Sequence, residues 1–425
     1  MSTGTRLGRR GVATRTEEVE DPRDLLAYLP ERDGSAWVRR GEGLLGRGVA
    51  ARIEVGAGED RFARAAARLA EYFAALTVED PFQEPGSGPV AFASFTFDPS
   101  SRASSLIIPA AVLGRRAGRA WRTSLDPGPA GGEQRWSASA RVRMLAPARI
   151  TYAGSSIPEV RWLEAVATAA AEIREGDANG AGAPALRKVV LARDLLVSAG
   201  EPLDIRLLVS RLAERFPDCY TFCCDGMLGA TPELLLRRTG RQVTSLVLAG
   251  SAPRGGTPTE DERLGAALLR SAKDAIEHRL SVESVRDGLA PLCDRLEVQA
   301  EPSLLRLDNV QHLATRVDGR LSDPLTALDV TGRLHPTAAI CGTPTALARE
   351  RIGALEGMDR GRYSGPVGWV DSRGDGEFGI ALRCAELTER GARLFAGAGV
   401  VGGSLPEAEL EETRLKLRAM RSALE

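Results

Sequence analysis

Apolar residues recur every three to four positions over 59–76 (EDRFARAAARLAEYFAAL), the spacing that turns one face of an α-helix towards a core. The same period predicts helices over 158–176, 203–216, 259–289, 345–354 and 405–423. Elsewhere short apolar runs bounded by turn residues predict strands at 90–97 and 104–114. Further strands follow at 188–197, 219–224, 233–238, 243–248, 365–370, 378–384 and 393–400. Three Gly/Pro-rich stretches, at 84–89, 126–133 and 177–185, read as loops. After residue 185, strands and helices mix without a long linker, and no segment repeats another. The pattern predicts one large α+β domain, with 21–150 as a looser N-terminal part and 151–425 as the region that carries the chemistry. Residues 1–20 open on MSTGTRLGRRGVATRT, basic and without an apolar stretch, and read as a disordered leader rather than a secretory signal.

Composition mainly excludes. A formal net charge of −1 leaves no electrostatic footprint for nucleic acid or an anionic membrane surface. No apolar run is long enough to cross a bilayer. Cys219, Cys223, Cys224, Cys293, Cys341 and Cys384 match neither a zinc knuckle nor a disulfide framework, and read as buried, reduced thiols of a cytoplasmic protein.

The lysine count does change the picture. Of 56 basic residues only Lys188, Lys273 and Lys416 are lysine, which leaves 53 arginines. A position that needs only positive charge has received Arg almost everywhere. Lys188 opens the apolar run in LRKVVLARDLL, where a cation able to release its proton has a use that Arg cannot fill. Lys273 lies four residues before Glu277, and Glu412 four before Lys416, with Glu409 one turn ahead. The plain reading is two solvated helix salt bridges, each worth a few tenths of a kcal/mol. The alternative brings Glu277 and Glu412 together to hold a hard dication such as Mg²⁺. Glu233, in MLGATPELLLRR, follows a Gly-Ala-Thr-Pro turn and precedes three leucines. It is either a carboxylate in water at a strand edge or a desolvated acid able to donate a proton. VLAGSAPRG (247–255) and FAGAGVVGGS (395–404) read as Gly-rich turns whose N–H groups could hold a carboxylate or phosphate.

Taken in order, the strings KVVLARDL, GATPELLLRR, LAGSAPRG, SAKDAIEH, QHLAT, LHPTAAICGTP, RYSGPVGW, FGIALRCAEL and FAGAGVVGGSLPEAELEETRLK resemble the chorismate-utilising enzymes. Within that family they are most similar to isochorismate synthases of the siderophore and menaquinone type. The resemblance covers about residues 186–416, with a weaker match over 90–115 and none in the first 60 or so. It implies two packed β-sheets flanked by helices, with a deep cleft. It also implies Mg²⁺-dependent conversion of chorismate to isochorismate, by water addition at C2 and loss of the C4 hydroxyl. Carried over residue by residue, Lys188 is the base and Glu233 the acid. Glu277 and Glu412 are metal ligands, with Asp274 and Glu409 acting through metal-bound water. Arg383, Tyr363, Lys416 and the Gly397–Gly399 turn hold a substrate carboxylate, and Gly250 and His312 line the ring pocket.

Three positions separate the relatives. Amine-transferring members carry Gln where this chain has Lys188, and aminodeoxychorismate synthases place a nucleophilic Lys where it has Ala249. Salicylate synthases tend to have Thr at the position of Ala339, so Ala339 favours stopping at isochorismate, with salicylate synthase as the alternative. Ser251 stands where the family more often has Thr and retains the hydroxyl. The resemblance implies action on chorismate without a glutamine amidotransferase, and a monomer is the default expectation. Retention of Lys188, Glu233, Glu277 and Glu412 argues against a non-catalytic binding homologue.

Overall fold

The apolar run that opens at Lys188 folds as the strand Lys188–Ser198, whose first seven residues are all buried. It pairs antiparallel with Gly391–Val400, from Val189 opposite Val400 to Ser198 opposite Gly391. The computed structural model describes residues 12–125, 136, 149–178 and 185–425. Within them the chain builds a 13-stranded and a 10-stranded sheet, covered by α-helices. N-terminal strands complete both sheets. Gly34–Arg39 pairs with Tyr220–Cys224 in the first, and Val90–Ser94 with Pro366–Asp371 in the second. Large side chains such as Phe95, Trp162, Leu191 and Phe378 fill the main core. Each such burial contributes about 1.5–3 kcal/mol.

The chain passes from one sheet to the other at short corners. Met227–Thr231 belongs to the first sheet and Leu234–Thr239 to the second, so Pro232 and Glu233 form one corner. Gly376–Ile380 lies in the second sheet and Cys384–Thr388 in the first, so Ala381–Arg383 forms another. Arg383 takes the left-handed conformation there, φ +48°, a strained choice for a non-glycine residue. Corners of this kind aim their side chains into the seam between the sheets.

Several expectations are corrected. Residues 12–18 of the expected leader form the strand Val12–Glu18, between Leu76–Glu79 and Arg119–Leu125; residues 1–11 lie outside the described residues. The run 104–114 splits at Pro109. Ser105–Ile108 joins the second sheet and Ala111–Arg116 the first, because Pro has no N–H to give a ladder. The single helix expected over 259–289 is two, Pro258–Arg270 and Ala272–Leu289. Ser271 breaks them: its backbone is extended and its hydroxyl caps the N–H of Asp274. The Gly-Ala-Thr segment read as a turn is the strand Met227–Thr231. The loop expected at 126–133, and most of the one at 177–185, lie outside the described residues.

Candidate active site

Glu233 and Arg383, at the two corners, open on a cleft between the sheets. Its wall also carries Gly250, Ser251, Glu277, His312, Ala339, Tyr363, Gly397, Gly399, Glu412 and Lys416. Twelve of the fifteen residues singled out from sequence therefore share one cavity. Lys188, Asp274 and Glu409 lie just behind its wall.

Lys188 has no exposed surface. Its Nζ donates to Ser281 Oγ at 2.9 Å and lies 3.3 Å from Glu277 Oε1. Burial pushes the Lys188 pKa down, with the charges of Glu277 and Glu233 opposing that shift. Burial pushes the Glu233 carboxyl up to about 8 against the opposite pull of Lys188 and Arg383. A cation inclined to lose its proton and a carboxyl inclined to keep one thus serve the same cleft.

The three lysines share one fate. Lys188 meets Glu277, Lys273 meets Glu409 at 2.6 Å, and Lys416 meets Glu412 at 2.5 Å. Only the last is the helix pair expected from spacing. Lys273 reaches across to the Pro406–Leu424 helix instead of along its own. These are half- to fully buried contacts, not solvated pairs. Burial raises Asp274, and the charges of Glu277 and Glu412 add to the effect. Burial likewise raises Glu409, with Glu412 adding. Burial acts to raise Glu412 too, but Lys416 outweighs it and holds that carboxyl below its usual range.

Asp274 and Glu409 are raised in part by the negative charges beside them, an effect that added positive charge relieves, and oxygen donors of this kind suit a hard dication. That donor set fits Mg²⁺, although among the described residues no three His, Cys, Asp or Glu side chains already converge as a metal site.

Histidines brace the wall. His312 Nε2 lies 3.1 Å from Arg383 Nη2, and since guanidinium only donates, Nε2 accepts. The proton then sits on Nδ1, which donates to Ser251 Oγ at 2.9 Å. Burial takes the His312 pKa down to about 3, so the ring is neutral. His278 donates from Nδ1 to the Ala249 carbonyl and accepts from Thr315.

Both Gly-rich segments prove to be mostly strand, with the expected turn kept only at Gly402 and Gly403. Gly250 forms a bulge within Gln242–Pro253 at φ +76°. Gly397 and Gly399 lie in Gly391–Val400, paired with Ala192 and Val190. Their value is a missing side chain: a Cβ at Gly399 would stand 2.0 Å from Glu277 Oε1, and one at Gly397 3.1 Å from the Tyr363 hydroxyl.

Sequence reasoning missed Ser281, although it lies one turn beyond Glu277 on the same helix face. It also missed Arg360, Val190, Leu248, Ile340 and Ser364 on the cleft wall.

Comparison with known proteins agrees with this architecture. Residues 36–425 match the model of the family described as chorismate binding enzyme. The isochorismate synthase DhbC of Bacillus subtilis is 48% identical over 251 residues, which cover 56% of this chain and 63% of that protein. The salicylate biosynthesis isochorismate synthase of Pseudomonas aeruginosa is 37% identical over 87% of this chain and 80% of its own. Among solved structures, MenF, the menaquinone-specific isochorismate synthase from Escherichia coli, superposes with a TM-score of 0.77 at 25% identity. That superposition covers 97% of this chain and 95% of that one. No described helix is long and apolar enough to cross a membrane. The chain belongs to the chorismate-binding enzyme family.

Proposed function

We propose that this protein is an isochorismate synthase, adding water at C2 of chorismate and releasing the C4 hydroxyl. The observation that carries the reading is the opposed pair at the cleft, Lys188 with its pKa pushed down and Glu233 held protonated up to about 8. Neutral Lys188 takes a proton from the water that bonds to C2. Protonated Glu233 gives its proton to the departing C4 oxygen, which leaves as water, so one proton enters the protein and one leaves it. Arg383, its guanidinium braced by His312, and Tyr363 hold a substrate carboxylate, and the bulge at Gly250 lets the ring approach the backbone. Glu277 and Glu412 would hold Mg²⁺, with Asp274 and Glu409 behind them. When bound, the ion neutralises the C1 carboxylate and so lowers the barrier to charge developing on the ring. Ala339 presents no hydroxyl to the cleft, in keeping with release of isochorismate before pyruvate is lost. Six free thiols, five of them buried, suit a reducing compartment such as the cytoplasm.

The test is direct. Purified protein with chorismate and Mg²⁺ is expected to yield isochorismate on chromatography, and EDTA is expected to abolish turnover. Salicylate and pyruvate as main products, or no turnover of chorismate at all, would overturn the assignment.

A further inference from the structure

Arg360 lies on the wall of the cleft, yet it has nothing left to offer a ligand. A guanidinium has five N–H donors, and all five are occupied. Nε donates to Glu356, Nη1 to the Ile340 carbonyl at 2.8 Å and to Ser364 Oγ at 3.2 Å, and Nη2 to the Val190 carbonyl at 2.7 Å and to Glu356 Oε1. Glu356 Oε1 also accepts the Ala192 N–H at 2.7 Å. Both partners are almost fully buried, at 2% and 1% exposure.

The partners of this pair fall on three separate walls. Val190 and Ala192 lie on the strand that Lys188 opens. Ile340 follows Ala339, and Ser364 follows Tyr363. No other described guanidinium is bonded into three segments of the cleft at once.

We propose that Arg360, charge-balanced by Glu356, is a positioning residue. It sets the spacing of the Lys188 strand from the walls that present Ala339 and Tyr363, without touching substrate. This rests on the reading of the cleft as the site of isochorismate formation. The planar fork is what the role requires. A lysine at 360 would keep the charge and a bond to Glu356, but its three donors share one nitrogen and cannot span three segments.

The test is Arg360→Lys, with two readouts. Deuterium exchange needs no reaction: amides around 188–194, 337–343 and 362–366 are expected to exchange at least about tenfold faster, while 34–47 stays as in wild type. Kinetics then read the consequence. A displacement of about 1 Å in the reacting groups costs about 100-fold in rate, so kcat is expected to fall about that far with KM within about threefold. Unchanged exchange at the three segments overturns the proposal. So does a rate per folded molecule within threefold of wild type, which is what a purely stabilising ion pair would give. If Arg360→Lys does not fold, Glu356→Gln, which leaves Arg360 its three wall contacts but removes the charge that orients it, is read by the same criteria. A wild-type protein inert towards chorismate, with exchange still raised locally in the variant, would refute the functional reading and leave the positioning role standing.

Discussion

Replacing Glu233 by Gln tests acid catalysis and folding energetics at once. Burial holds this carboxyl at about 8 instead of its ordinary 4.5. Between those values the native protein keeps a proton that the unfolded chain has already released. The native state therefore binds more protons than the unfolded one, and stability falls as pH rises through that window. Below about 4.5 both states are protonated, and above about 8 both are ionised. At about 1.4 kcal/mol per pH unit, the full span comes to about 5 kcal/mol as an upper bound. Gln cannot ionise and so escapes the penalty. The variant is expected to match wild type near pH 5 and to exceed it increasingly towards pH 8.5. With an unfolding entropy of about 0.9 kcal/mol/K for 425 residues, the gap in Tm at pH 8.5 reaches about 5 °C. Scanning calorimetry of the two proteins at pH 5.5, 7 and 8.5 measures it, and groups common to both cancel in the difference. Turnover moves the other way, with kcat reduced about 10²- to 10⁴-fold by loss of the proton donor. A Tm difference that stays flat with pH, or a variant that keeps wild-type turnover, would refute the reasoning.

Other expectations follow from neighbouring contacts. Lys188→Arg keeps a cation at the wall but removes the ability to deprotonate, so kcat is expected to fall by orders of magnitude in a folded protein; wild-type kinetics would sink the base assignment. Gly399→Ala drives a methyl into Glu277 Oε1, 2.0 Å away in the native geometry. It is expected to lower stability by about 1–3 kcal/mol and to weaken Mg²⁺ binding in calorimetric titration; undiminished metal affinity would show that Glu277 does not act from this position.

The legible parts of the sequence were those where local chemistry and tertiary demand agree. Lys188 stood out because Arg fills nearly every other basic position, and Glu233 because three leucines follow it. Helix periodicity placed Glu412 and Lys416 on one face, and there the structure pairs them. Lys273 misled for the same reason: spacing allows Glu277, but Glu409 on another helix is the partner reached. Met227–Thr231 read as a turn because Gly, Thr and Pro are turn residues. In the fold, Gly229 is needed where the backbone of Cys384 passes, and a Cβ there would stand 2.6 Å from that of Cys384. Strand pairing decides such a segment, and pairing is not local. The strand Val12–Glu18 escaped notice because five of its seven residues are polar or charged, the buried Thr14 and Thr16 among them, leaving little apolar alternation. Arg360 was hidden by abundance: among 53 arginines, only its buried partners set it apart.

The antiparallel pairing of Lys188–Ser198 with Gly391–Val400 has a consequence for biosynthesis. About 230 residues separate Lys188 from Lys416. At translation rates of about 5–20 residues per second, Lys188 leaves the ribosome about 10–45 s before the helix that carries Glu412 and Lys416. Through that interval its strand, apolar on both faces, has one long edge without its partner, and such edges recruit other chains. The arrangement that gives the mature cleft its buried lysine thus leaves the nascent chain with an open, association-prone strand edge until Gly391–Val400 and the helix after it close over it.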